Sequence, residues 1–248
     1  MIIDPHTHLG DYISATRPFP ATADNLLKAI DATGIGIEKV ITMPMGMEWD
    51  YSRLNTMVAK AVEKYPDRII GFTRINPYMK GAVEELKRCK KLGITGLKLH
   101  PMYSVFRPND PKLVFPLVEK AHELGMPVMF HTGLSIYATP AYVIDVAYQF
   151  PDVTFIMAHC GYDEYFAESI TSYALKLKNL IWDLTGIWDM NKLMTAVEVL
   201  DPSRIIGGSD WPYYSILMSM KTRWDELKIS ESARKAILGD NIVRILGI

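Results

Sequence analysis

Of the six histidines in this chain, five fall where a short apolar run ends. His6 and His8 close the first run, His100 the fourth, His131 the fifth and His159 the sixth. Asp210 closes the eighth. In an extended strand alternate side chains point to one face, so His6 and His8 aim together and can reach one ion. Imidazole suits zinc and other borderline divalent metals. Asp210 adds a carboxylate that can bind the metal, take a proton from water, or both. Lys98 and His100 also share a parity, which turns them toward the centre and sends Leu97 and Leu99 toward the helices. Any one of these histidines alone reads equally well as a hydrogen-bonded core residue. Their joint placement is what points to a metal. His122, inside a helical stretch, reads as solvated.

The elements that must position these residues alternate along the chain. Strand candidates are Met1 to His6, Lys39 to Met43, Ile69 to Ile75, Gly96 to His100, Pro127 to His131, Thr154 to His159, Leu180 to Leu184 and Ile205 to Asp210. They are apolar on nearly every residue, as strands covered on both faces are. Between them apolar residues recur at helical spacing: Leu26, Leu27 and Ile30 in one stretch, Val83, Leu86 and Leu92 in another, Val114, Leu117, Val118 and Ala121 in a third. Gly34, Gly93 and Gly125 stand where left-handed helix caps belong. Eight β/α units in 248 residues without a composition break predict an α/β fold of one domain, a (β/α)8 TIM barrel over 1–248, with a C-terminal packing helix from about residue 230. An open doubly wound sheet fits less well, since no glycine-rich phosphate loop follows any strand. In such a barrel the C-terminal strand ends line one mouth, where all these residues would meet. Arg17 to Pro20 reads as a loop long enough to overhang it.

The bulk properties narrow the function classes. With 49% hydrophobic and 22% charged residues the chain has the balance of an ordinary globular protein. A formal net charge of −1, with no basic run, gives no footprint for nucleic acid or an acidic membrane. Cys89 and Cys160 lack CxxC spacing, which argues against a disulfide framework or a thiolate zinc site. No stretch has the length of a membrane span or the pattern of a signal peptide, so the expected location is cytoplasmic. The expected partner is a small-molecule substrate, and a homo-oligomer is allowed.

The segments Ile3-Asp4-Pro5-His6-Thr7-His8, Gly96-Leu97-Lys98-Leu99-His100-Pro101, Phe130-His131-Thr132-Gly133, Ala158-His159-Cys160-Gly161 and Gly208-Ser209-Asp210-Trp211-Pro212 together resemble the amidohydrolase superfamily. The closer resemblance is to its branch of aminocarboxymuconate-semialdehyde decarboxylase-like, metal-dependent hydrolases. It runs in order from residue 2 to the C-terminus. It implies a divalent metal, zinc expected, held by His6, His8, His131 and Asp210. It also implies that His159 acts on water or substrate or, in two-metal relatives, binds a second ion bridged by a carboxylated lysine. Lys98 occupies that strand. One ion is the expectation and two the alternative.

The expected chemistry is hydrolysis of an ester, lactone or amide in a small molecule. Asp210 would carry the proton, and His159 or the metal would polarise the carbonyl. Non-oxidative decarboxylation of an aromatic or muconate-like acid is the alternative. It would need a cation for the carboxylate, and Arg74, at the end of the third strand, is the candidate. Lys98, His100, Tyr103 and Trp211 are further candidates for substrate contact. Phe106, Tyr137 and Tyr213 lie in the same post-strand loops, where aromatic rings can stack on a planar substrate.

Overall fold

A computed structural model describes residues 1–13 and 18–248. Nine strands form one sheet in the order β2-β1-β3-β4-β5-β6-β7-β8-β9. The strands are β1 (Ile2–Ile13), β2 (Pro18–Ala21), β3 (Ile37–Pro44), β4 (Ile69–Arg74), β5 (Gly96–Leu99), β6 (Val128–His131), β7 (Phe155–Ala158), β8 (Leu180–Asp183) and β9 (Ile205–Ile206). All eight expected strands are present and pair in parallel. β2 is an addition. Pro18 to Pro20, expected as loop, instead pair antiparallel with β1, because β1 runs seven residues past His6 and offers them an edge. Arg17 lies outside the described residues.

The curled sheet is drawn together at its ends. A parallel bridge joins Thr7 to Trp211. The Asp210 N–H donates to the His6 carbonyl at 2.7 Å and the His8 N–H to the Trp211 carbonyl at 2.8 Å. Gly208 permits this approach, since a Cβ there would stand 2.7 Å from the His6 Cβ. The result is a single-domain TIM-barrel architecture.

Helices α1 (Ala23–Asp31), α2 (Ser52–Lys64), α3 (Ala82–Lys91), α5 (Phe115–Glu123), α6 (Pro140–Gln149), α7 (Tyr162–Ser169) and α8 (Met190–Val199) follow successive strands, and a one-turn helix, α4 (Pro101–Ser104), follows β5. Gly34, Gly93 and Gly125 do carry positive φ, as left-handed caps require. No helix among the described residues is long and apolar enough to cross a membrane.

Strand parity divides the core in two. Outward residues such as Leu97, Leu99, Val128, Phe130, Phe155 and Trp182 pack against the helices. Inward residues, among them Ile3, Ile41, Phe72, Met129, Ile156 and Ile181, fill the barrel. In β1 the pairing register slips between Asp4 and Thr7. A bulge of this kind re-aims side chains, so Ile3 can fill the barrel while His6 and His8 still turn inward. After three short helices, α9 (Arg223–Glu226), α10 (Glu231–Lys235) and α11 (Asn241–Leu246), the chain ends beneath the barrel. Ile242 joins the inner cluster, and Asn241 Nδ2 donates to the Pro202 and Ile205 carbonyls.

Candidate active site

The inward positions at the C-terminal strand ends stop being apolar. β1 presents His6 and His8, β4 Arg74, β5 Lys98, β6 His131 and β8 Asp183, all buried. His159 and Asp210 lie just past β7 and β9 with φ of 68° and 59°. That left-handed backbone costs non-glycine residues about 1–3 kcal/mol each and persists where surrounding structure enforces it. Both residues line one cavity of about 240 Å³ with His6, His8, Lys98 and His131.

The donor atoms converge. Ligand atoms of His6, His8 and Asp210 all lie within 4.8 Å of one another. His8 Nε2 is 2.9 Å from Asp210 Oδ1, and His6 Nε2 is 3.6 Å from the same oxygen. His6 is fixed from behind, its Nδ1–H donating to Asp183 Oδ2 at 2.7 Å, which leaves the Nε2 lone pair facing the cavity. Asp183 is itself held by the Thr185 N–H and hydroxyl. His131 Nε2 is buried without a hydrogen-bond partner among the described residues. Lone pairs gathered this closely, with a carboxylate among them, fit a divalent cation.

Burial sets the electrostatics, since it penalises charge. It lowers His8 to about 4 against the pull of Asp210, and His159 to about 3. His100 and His131 are likewise held well below the usual imidazole range by burial and by neighbouring cationic groups. These four imidazoles are therefore neutral and free to donate lone pairs. Burial alone would raise Asp210, but the His8 hydrogen bond and the neighbouring imidazoles hold it well below the ordinary carboxylate range. Lys98 is brought down to about 7 by burial, partly opposed by Asp183 and Asp210. Its Nζ stands 3.4 Å from His6 Nε2.

Hydrogen bonds assign two tautomers. His159 Nδ1 faces the Thr185 carbonyl at 2.9 Å, so it carries the proton and Nε2 is an acceptor. His100 Nδ1 accepts from the Tyr103 N–H, so its Nε2 carries the proton and is a donor. Stacked rings form one wall. Tyr103 lies on His100 at 4.1 Å between centroids and His100 on His131 at 3.9 Å. Tyr162 lies on His159 at 4.4 Å.

Arg74 completes the cavity lining. Its guanidinium sits over the Tyr51 ring at 4.7 Å and the Tyr103 ring at 5.3 Å. Nη1 reaches the Pro44 carbonyl at 3.4 Å, while Nε and Nη2 have no hydrogen-bond partner among the described residues. This is a buried cation with donors left over.

The chain matches the amidohydrolase family over residues 3–248. It belongs to that family. No curated protein sequence matches it. Solved structures of the amidohydrolase kind share its fold. A TIM-barrel protein from Bordetella bronchiseptica has a TM-score of 0.79 at 20% identity, with 99% of this chain and 98% of that one covered. A dihydroxybenzoic acid decarboxylase from Polaromonas, solved with manganese and an inhibitor, has 0.75 at 19%, covering 99% and 96%. A probable 2-pyrone-4,6-dicarboxylic acid hydrolase from Acinetobacter baumannii has 0.72 at 19%, covering 100% and 99%.

Within this amidohydrolase barrel the mouth gathers His6, His8, Arg74, Lys98, His100, Tyr103, His131, His159, Asp210 and Tyr213. Trp211, a sequence candidate for substrate contact, is not among the lining residues. Its backbone forms the seam with β1, and its ring is buried in the outer core. Phe106 is likewise core, and Tyr137 lines a separate cavity. His122 is exposed on α5, and both cysteines are buried and free. Sequence reasoning passed over Asp183, Tyr162 and Tyr214. Asp183 carried a readable signal, an aspartate closing an apolar strand, as Asp210 does. Tyr162 opens α7 and Tyr214 sits in the loop after Asp210, and neither has a periodicity that places it at the mouth.

Proposed function

We propose that this chain is a metal-dependent hydrolase that cleaves an ester, lactone or amide bond in a small carboxylate-bearing molecule. The observation that carries this reading is the cluster of His6, His8 and Asp210 beside Arg74, a buried cation with unused donors. In this reading His6, His8, His131 and Asp210 hold one divalent ion, zinc expected. A divalent ion held there would supply Lewis acidity and lower the pKa of water towards neutrality.

The chain's own groups do the rest. Asp210 takes the proton from the attacking water and returns it to the leaving group. His159, an acceptor at Nε2, orients that water instead of polarising the carbonyl. The polarising donor is His100 Nε2–H, joined by Lys98 when protonated. Arg74 anchors the carboxylate with its unused N–H groups. The Tyr103–His100–His131 stack gives a planar substrate a flat wall.

That flat wall also favours a second reading, decarboxylation of an aromatic or muconate-like acid, the chemistry named for the Polaromonas relative. A small-molecule partner and a cytoplasmic location belong to the same proposal. The test is to incubate metal-loaded protein with a lactone and ester panel that includes pyrone carboxylates, and separately with dihydroxybenzoates while following carbon dioxide. Hydrolysis without carbon dioxide release supports the first reading. Carbon dioxide release without hydrolysis replaces it with the second. Neither, from protein shown to hold metal, overturns both.

A further inference from the structure

Beyond Tyr103 the cavity wall has a second side. A second hollow of about 590 Å³ lies against Tyr103 and is lined by Met47, Trp49, Tyr78 and Val105, with the polar Glu48 and Asn76 also on its wall. Trp49 is 66% exposed and Tyr78 47%. Large rings exposed side by side make an apolar patch of the kind that marks a binding surface. They are near-parallel, with a 16° interplanar angle and centroids 6.4 Å apart.

The hollow is also built. Tyr78 Oη donates to the Val105 carbonyl at 3.1 Å, pinning the β4 and β5 loops together. The Tyr51 hydroxyl donates to the Gly46 carbonyl and accepts from the Glu48 N–H, fixing the turn that carries Trp49. The Tyr51 ring is the same one that supports the Arg74 guanidinium. Arg74 also lies over Tyr103, which lines both hollows. The cation that faces the metal cluster and the platform beyond it thus rest on shared side chains.

We propose that the Trp49–Tyr78–Val105 platform is a second substrate compartment. It takes a flat apolar group, aromatic or conjugated, joined to the anionic head held at Arg74. The substrate class is then an amphipathic carboxylate longer than one ring. This rests on the carboxylate reading of Arg74 given above, and not on which bond is broken. Stacking favours flat groups over alkyl chains, because π faces prefer offset or edge contacts with other rings.

The test uses the full-length, metal-loaded protein and two probes, benzoate and 4-phenylbenzoate, titrated by calorimetry. The platform should make 4-phenylbenzoate bind about tenfold tighter than benzoate, the scale of one aromatic stack with its buried area. Trp49→Ala and Tyr78→Ala should each cut that preference to within about threefold while leaving benzoate affinity and metal content unchanged. Trp49→Phe should keep most of it. Equal wild-type affinities for the two acids, no binding of either, or a parallel loss of both in Trp49→Ala would overturn the compartment. A platform preference that persists in protein that turns over nothing would leave the compartment standing and remove the hydrolase reading.

Discussion

Asn55 grips the peptide of Arg74 from both sides. Its Oδ1 accepts from the Arg74 N–H at 2.9 Å and its Nδ2 donates to the Arg74 carbonyl at 3.0 Å. The same Nδ2 donates to Glu85 at 2.9 Å, so α2, α3 and the end of β4 are tied at one buried point. Replacing Asn55 with alanine leaves these groups unpaired, at about 1–3 kcal/mol in urea unfolding. In kinetics the loss should fall on recognition. We expect KM for a carboxylate substrate to rise about tenfold while kcat stays within threefold and metal content holds. An unchanged KM in a folded variant would show that Asn55 has no part in setting Arg74.

Asp183 should act on the metal through His6. Partners behind a ligating imidazole typically carry about 10–100-fold in metal affinity. Asp183→Asn should therefore lose metal to a competing chelator at a 10–100-fold lower chelator concentration than the parent. Equal competition curves would separate Asp183 from metal binding.

Asp210→Asn keeps the side-chain shape and removes the base. Its fold, judged by circular dichroism, should persist. Turnover should drop by about 100-fold or more, the scale of general-base catalysis. Turnover within a few-fold of the parent would remove Asp210 from the proton path.

Much of this site was readable because strand parity needs only local sequence. Gly96, Lys98 and His100 against Leu97 and Leu99 is a two-residue rhythm that turns the lysine into the mouth, where its Nζ stands 3.4 Å from His6 Nε2. The eight strands were readable for the same reason. What escaped depends on pairing, which residue pattern alone does not announce. β2 exists because β1 runs past His6 to meet it, and nothing in Pro18 to Ala21 announces a partner five to eleven residues back. Trp211 looked like a pocket ring because its loop follows Asp210. Only closure of the sheet against Thr7 explains why it faces the core instead.

Glu85 gives a pH signature remote from the metal cluster. Burial raises its carboxyl, but hydrogen bonds from Arg88, Asn55 and Cys89 outweigh this and leave it below its ordinary 4.5. A lowered carboxyl contributes stability that is present above that value and lost as pH falls through the native one. The stability gap between the parent and Glu85→Gln should therefore be widest near neutral pH and shrink below about pH 4.5. Parallel stability curves from pH 7 to pH 3 would contradict the assignment.

Removing the imidazole pair tests the whole cluster. The His6→Ala/His8→Ala double variant should emerge with most of its divalent metal gone by elemental analysis. In the parent, metal at about a hundred times its dissociation constant adds about 2.7 kcal/mol. For a chain of this size that raises Tm by about 5–10 °C. Full metal content in the double variant would move the site elsewhere.

The seam that joins Asp210 to His6 and Trp211 to His8 has a consequence for the order in which the protein becomes itself. During synthesis the two imidazoles leave the ribosome well before their partner. The carboxylate they face lies 202 residues beyond His8. A stalled or clipped chain therefore shows the cell a bare histidine pair with a weak grip on metal. The full donor set forms at the same moment that the last strand meets the first. With metal held as proposed, loading would wait for the barrel to close.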